Sequence, residues 1–332
     1  MADLSTQYMG LTLRNPIIVG SSGLTNSVES VVELEKAGAG AVVVKSLFEE
    51  QIILETEADL KKAYKDDHFY TAKSEALDYL DIKIRKETLA NYIKLLKDIK
   101  EATNIPVIAS VNCVSSAEWT FFARRIEEAG ADALELNIAI LPSDSDIASN
   151  DIENKYFDII NKVKDSVSIP IAVKFSPYFT NLATMITKLS ETGIKGLVMF
   201  NRFYTPDFDI NNFSEKSSNT FSTPAEASNV LRWIAIMSGR VEVDIAASTG
   251  VHDSTALIKQ ILAGATAVQI VSSIYNKGVG HLQSVLFELE NWMDSKGFKT
   301  IAEFKGKLSQ EASQNPAAYE RIQFMKYFSE IV

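Results

Sequence analysis

The chain has 332 residues, with 33 Lys and Arg against 43 Asp and Glu, for a formal net charge of −10. An acidic body of this kind is not drawn to phosphate backbones or anionic lipid, which excludes nucleic acid and membrane surfaces as main partners. Apolar residues at 46% and charged residues at 23% describe a globular protein with a full core, while one cysteine, Cys113, and three scattered histidines leave no multi-cysteine or HExxH metal site. The first residues, MADLSTQYMG, lack the basic and apolar blocks of a secretory leader. No apolar run approaches the ~18 residues a membrane span needs, so the expected location is cytoplasmic.

In chain order, residues 1–14 read as a small hairpin that plugs the bottom of the fold. From residue 15 two patterns alternate. One is NPIIVGSSG (15–23), NIPVIASVN (104–112), SIPIAVKFS (168–176) and GRVEVDIAAS (239–248). The other is AGAGAVVVK (37–45), AGADALELN (129–137), TGIKGLVMF (192–200) and AGATAVQIV (263–271), where a glycine suited to ending a helix runs into an apolar strand. Together they predict eight strands near residues 16–20, 41–45, 106–111, 133–137, 170–175, 196–200, 241–247 and 267–272. The stretches between them, such as VESVVELEKAG (28–38), ETLANYIKLLKDIKEAT (87–103) and DSTALIKQILAG (253–264), carry helical spacing. Near-continuous apolar strands covered by helices make a parallel sheet, and eight such units in about 270 residues predict an α/β fold, a closed (β/α)₈ TIM barrel. An open doubly wound sheet would call for a glycine-rich phosphate loop after the first strand, which NPIIVGSSGLT does not contain. The tail after 297 reads as a C-terminal helical extension, and residues 1–332 as a single domain. Two connections are long, 46–86 and 201–222, and both follow a strand, on the face where barrels keep their chemistry.

At that face the strand ends carry Ser21 and Ser22, Lys45 and Ser46, Asn112, Asn137, Lys174, Asn201 and Arg202, Ser248 to Gly250, and Ser272 and Ser273. Lysines among aliphatic runs need an anion or a substrate nearby; the only carboxylate close to these ends is Glu135, two residues before Asn137. The segments STGVHDS and QIVSSIYNKG, after strands seven and eight, suit a phosphate held by backbone N–H groups. Two lysines, three amides and a phosphate cradle without metal ligands fit flavin chemistry, in which a cation stabilises the reduced ring. They also fit a Schiff-base aldolase with Lys174 as nucleophile. A barrel that merely binds flavin or phosphate is a further alternative.

The stretches NPIIVGSSG, GAGAVVVKS, ADALELN, IPIAVKFSPYF and AGATAVQIVSSIYNKG, in this order, make the sequence resemble the dihydroorotate dehydrogenase family of FMN-dependent barrels over nearly its whole length. The similarity is greatest to a subgroup with LVMFNRFYTPDFDI after strand six and no catalytic Cys or Ser. The resemblance implies an FMN-dependent oxidoreductase acting on CH–CH groups, in pyrimidine biosynthesis, working as a homodimer on a small dihydropyrimidine-like or carboxylated substrate. It implies FMN contacts at Ser22, Lys45, Ser46, Asn112, Asn137, Lys174 and Phe200, and at the backbone of Thr249, Gly250, Val271 and Ser272. Lys45 and Lys174 take catalytic roles, and Asn137, Asn201 and Arg202 bind substrate. Where the family's loop reads N-x-S-C-P-N, this chain has Asn137-Ile-Ala-Ile-Leu-Pro142, so Ile140 stands at the base position and the base is unassigned. Ser143, Asp144 and Ser145 are the other acid–base groups on that loop. FMN binding thus carries over better than oxidation of dihydroorotate itself. For Arg202 two uses compete, a grip on a substrate carboxylate or a salt bridge to Asp207 or Asp209. Phe203, Tyr204 and Phe208 are candidates for the mouth or for a folded loop core.

Overall fold

The structure, a computed structural model, describes residues 2–48, 75–112, 116–216 and 220–321. Cys113 and most of the connection expected at 46–86 lie outside these residues. A hairpin of β1 (Thr6–Tyr8) and β2 (Leu11–Leu13) opens the chain. The barrel strands are β3 (Ile17–Val19), β4 (Ala41–Val43), β6 (Val107–Asn112), β7 (Ala133–Asn137), β8 (Ile171–Phe175), β9 (Gly196–Met199), β12 (Asp244–Ser248) and β13 (Ala267–Ile270). Each pairs in parallel with the next, and β13 returns to β3 with Val268 opposite Ile17, which closes an eight-stranded parallel barrel. A two-residue strand, β5 (Leu47–Phe48), adds to the upper edge of β6.

The helices follow from the same sequence signals. They are α1 (Val28–Lys36), α2 (Glu75–Ala102), α3 (Ser116–Glu128), α4 (Ser149–Lys164), α5 (Leu182–Ser190), α6 (Ala227–Met237) and α7 (Ser254–Ala263), then α8 (Ser272–Lys277), α9 (His281–Lys296) and a short α10 (Ala317–Glu320). Ser27 and Asp253 cap α1 and α7 by accepting the N–H groups of Ser30 and Ala256 at 3.2 and 2.8 Å. The four repeat glycines, Gly38, Gly130, Gly193 and Gly264, all take positive φ between helix and strand, the role their spacing predicts. Helix α2 begins at 75 rather than 87, because EALDYLDIKIRK consists mainly of good helix formers and continues the turn upstream. The 201–222 connection holds a hairpin, β10 (Asp207–Asp209) with β11 (Ser214–Lys216). Its aromatic residues build no core: Tyr204 and Phe208 are 64% and 69% exposed. The described part of the tail after 297 supplies a 3₁₀ turn at Ile301–Glu303 and α10, joined by turns.

Alternation along the strands divides the core in two. Outward residues such as Val42, Leu134, Val173 and Leu197 pack against the helices. Inward residues form a separate cluster at the bottom of the barrel, of which Ala41, Ala133, Ala172, Ala246 and Ala267 are alanines. So many small side chains leave a void that other atoms must fill. Tyr8, Met9 and Leu13 from the hairpin fill it and are 1%, 4% and 0% exposed. The hairpin is latched there by the Met9 N–H, which donates to Asp244 Oδ2 at 2.7 Å. Thr266 Oγ1 donates to the other oxygen of Asp244 at 3.0 Å, and Lys305 Nζ in turn donates to Thr266 Oγ1.

Candidate functional site

Above the alanine layer the inward positions turn polar. Ser110 on β6, Glu135 on β7, Lys174 on β8 and Gln269 on β13 stand two residues further along their strands than Ile108, Ala133, Ala172 and Ala267. Lys174 Nζ donates to Gln269 Oε1 at 2.8 Å and lies 3.8 Å from Glu135 Oε1. Gln269 Nε2 donates to Glu135 Oε2 at 2.5 Å. Glu135 is 1% exposed. Glu135, the carboxylate expected near the strand ends, is thus the lysine's anion.

One layer higher, two cavities open at the mouth. The larger, about 990 Å³, is lined by Asn112, Asn137, Asn201, Arg202 and Tyr204, with an apolar wall of Ile138 to Leu141. The smaller, about 210 Å³, lies over β8, β12 and β13 and is lined by Ser21, Lys174, Ser248, Thr249, Gly250, Gln269, Val271 and Ser272. Asn201 and Arg202 line both. Asn201 Nδ2 donates to Asn137 Oδ1 at 2.8 Å, so Asn137 keeps its amide N–H groups and Asn201 its carbonyl oxygen for a ligand.

The remaining sequence candidates divide. Ser46 is buried and spends its hydroxyl in a chain, 2.9 Å from Ser21 Oγ and 2.7 Å from Ser110 Oγ. Ser22 caps the 3₁₀ turn Gly23–Thr25, and it is Ser21 that faces the smaller cavity. Lys45 stands just past β4, half-buried, and lines neither cavity. Phe200 is 3% exposed and packs edge-on against Phe175 with ring centroids 5.4 Å apart, so its ring belongs to the core. Of the two uses expected for Arg202, the salt bridge goes to neither Asp207 nor Asp209. Its Nε pairs with Glu226 at 2.8 Å and its guanidinium donates to the Thr220 carbonyl at 3.2 Å, so the carboxylate that holds it comes from the turn before α6. Burial raises the Glu226 pKa, but hydrogen bonds from Thr223 and Arg202 outweigh it and hold the carboxyl below its ordinary range. Ser143, Asp144 and Ser145 are exposed on the loop before α4.

Sequence reasoning missed Ser222 and Gln269. Ser222 Oγ accepts the Gly250 N–H at 3.3 Å and lies 3.1 Å from His252 Nε2, while its own N–H donates to Ser272 Oγ at 3.0 Å. His252 is held below the usual histidine pKa mainly by burial, against a raising hydrogen bond from Ser222. Ser222 follows a loop and carries no sequence signal. Gln269 is legible only through alternation, as a polar inward residue in an apolar strand.

The smaller cavity suits an anionic group. Among the described residues the smaller cavity is lined by hydroxyls, backbone amides and two cations and by no carboxylate, a donor set for an anion. Gly250 makes it possible: φ is +81°, and a Cβ there would collide with the backbone nitrogen of Ala227. Gly250→Ala is expected to cost about 1–3 kcal/mol in strain, read as a lowered unfolding midpoint, and to push α6 away from the cavity.

Comparison with known proteins bears on the same site. The family model described as Dihydroorotate dehydrogenase matches residues 69–293. The chain is 28% identical over 325 residues to the Dihydroorotate dehydrogenase B (NAD(+)), catalytic subunit, of Thermoplasma volcanium, covering 92% of this chain and 98% of that protein. The protein of the same name from Thermoplasma acidophilum is 26% identical over 322 residues, covering 92% and 99%. That from Methanothermobacter thermautotrophicus is 25% identical over 310 residues, covering 91% and 97%.

Proposed function

The chain belongs to the dihydroorotate dehydrogenase family, and from that premise we propose that it is an FMN-binding oxidoreductase acting on a CH–CH bond of a small, planar, polar substrate. The observation that carries this reading is the convergence of Lys174, anchored by Glu135 and Gln269, with the Asn137–Asn201 amide pair between the two cavities. Bound there, FMN would supply the hydride acceptor. Lys174 brings a positive charge to the floor of the mouth, where negative charge must be stabilised on reduction. The N–H groups of Thr249, Val271 and Ser272, with the hydroxyls of Ser21 and Ser272, would hold the phosphate end, while the Gly250 N–H is already taken by Ser222 Oγ. Asn112, Asn137 and Asn201 offer amide groups that orient the substrate in the larger cavity. Arg202, locked to Glu226, shapes the border between the cavities and leaves substrate recognition chiefly to the amides. Ile140 takes no proton, so oxidation of dihydroorotate itself is slow in this reading. The names of the relatives, with NAD(+) and a catalytic subunit, point to a nicotinamide acceptor reached through a second subunit. Within this reading the whole of 1–332 acts as one domain, in a cytoplasmic homodimer. No helix among the described residues is long and apolar enough to cross a membrane.

The visible spectrum of the purified protein, followed by anaerobic addition of dihydroorotate, tests this. A yellow protein with one FMN per chain is expected, bleached slowly by dihydroorotate and faster after Ile140→Cys, which puts a proton acceptor on the apolar wall. A colourless protein that takes up no FMN on reconstitution would sink the reading. A lysine-based alternative would instead reveal itself as borohydride trapping of a carbonyl compound on Lys174.

A further inference from the structure

Lys174 and its partners span the inside of the barrel. Strands β7 and β13 stand four places apart in the ring of eight, on opposite walls, yet Gln269 reaches across to Glu135 at 2.5 Å and accepts from Lys174 at 2.8 Å. Among the described residues Glu135 Oε1 is buried without a hydrogen bond, and Lys174 Nζ lies 3.8 Å from it. Desolvating two charges and leaving a carboxylate oxygen unsatisfied is expensive, and apolar residues of similar volume would fill the space at no loss of stability. A charged pair kept directly under a cavity mouth needs another reason.

We propose that Glu135 is a positioning residue that sets the electron affinity of the flavin by cancelling the charge of Lys174. The proposal rests on the flavin reading given above. Lys174 alone would stabilise the reduced, negatively charged ring strongly and hold its electrons. The Glu135 carboxylate makes the floor close to neutral, in an interior where charges are weakly screened, so the reduced ring passes its electrons on. Gln269 fixes the geometry, since its carbonyl engages the ammonium and its amide the carboxylate, and neither charged partner can swing away.

The test compares the wild-type protein with Glu135→Gln and Glu135→Asp, each loaded with FMN, by dye-coupled reductive titration and by sulfite binding to the oxidised flavin. Glutamine keeps shape and hydrogen bonding but removes the charge. A role confined to orienting Lys174 therefore predicts no change. The proposal predicts a rise of at least about tenfold in the reduction equilibrium, about 30 mV for a two-electron couple, together with tighter sulfite binding. Aspartate keeps the charge but draws it back, and its potential rises by less. A Glu135→Gln protein that binds flavin with an unchanged potential overturns the proposal alone. Absence of FMN uptake by the wild-type chain overturns the flavin reading and this proposal together, and is seen before any variant is compared. If Glu135→Gln does not fold, Glu135→Leu, which also removes the charge, carries the test in its place, and an unchanged potential there overturns the proposal.

Discussion

Replacing Lys174 by methionine is expected to slow flavin reduction by about 10²–10³-fold, the usual effect of removing one preorganised charge from a reacting centre. It should also cost about 3–5 kcal/mol of folding stability, because the change strands Glu135 as a buried carboxylate with only Gln269 beside it. The two effects have different owners and come apart in a double variant. Lys174→Met with Glu135→Leu removes the stranded charge and should regain most of the stability, as buried ion pairs replaced by apolar residues commonly do. The rate should stay low. Denaturant titration reads the first quantity, and anaerobic stopped-flow with whichever donor reduces the wild-type flavin reads the second. Recovery of rate together with stability would mean that Lys174 acts only through the fold.

Tyr8→Ala is expected to cost about 3–5 kcal/mol, as much as losing a core aromatic anywhere, although Tyr8 lies in a hairpin eight residues from the start of the sequence. Its ring helps fill the space that five alanines leave at the bottom of the barrel, and no neighbouring strand can close the gap without opening the barrel. Tyr8→Phe should change stability by less than about 1 kcal/mol, since among the described residues the hydroxyl is buried without a hydrogen-bond partner and its loss orphans nothing. Burial, followed by the negative charges of Glu135 and Asp244, raises the Tyr8 pKa well above its ordinary value, so the hydroxyl stays neutral. Denaturant midpoints of the two variants decide the matter, and a Tyr8→Phe protein as weak as Tyr8→Ala would refute the packing argument.

The barrel was readable because its signals are local and repeated. Gly38, Gly130, Gly193 and Gly264 each mark a helix end, and a strand follows each of them at once. Strand ends converge by geometry, which is why Lys174, Asn137 and Asn201 emerged from the sequence as neighbours. What escaped depends on which rotamer reaches which partner. The amino-acid order places Glu135, Lys174 and Gln269 on three strands, but only the closed ring shows that β7 and β13 face each other. Arg202 illustrates the same limit: Asp207 and Asp209 are closer in sequence, whereas the bend before α6 brings Glu226 nearer in space. The start of α2 was hidden because a charged, helix-forming stretch carries no stop signal, and the packing of the Phe200 ring against Phe175 depends on its rotamer rather than on its place in the sequence.

The seam where the barrel closes has a consequence for how the molecule comes into being. Val268 pairs with Ile17 and Ile270 with Val19, so the first staves of the barrel wait for partners roughly 250 residues away. During synthesis β3 can pair with β4 almost at once, but its other edge stays bare until β13 leaves the ribosome. The same holds for Tyr8 and Met9, which have no finished floor to sit in until Ala246 and Ala267 are in place. Ring closure and insertion of the hairpin are therefore one late event, slow because long loops must close before any contact rewards them, and it is the unclosed intermediate that chaperones would have to shelter.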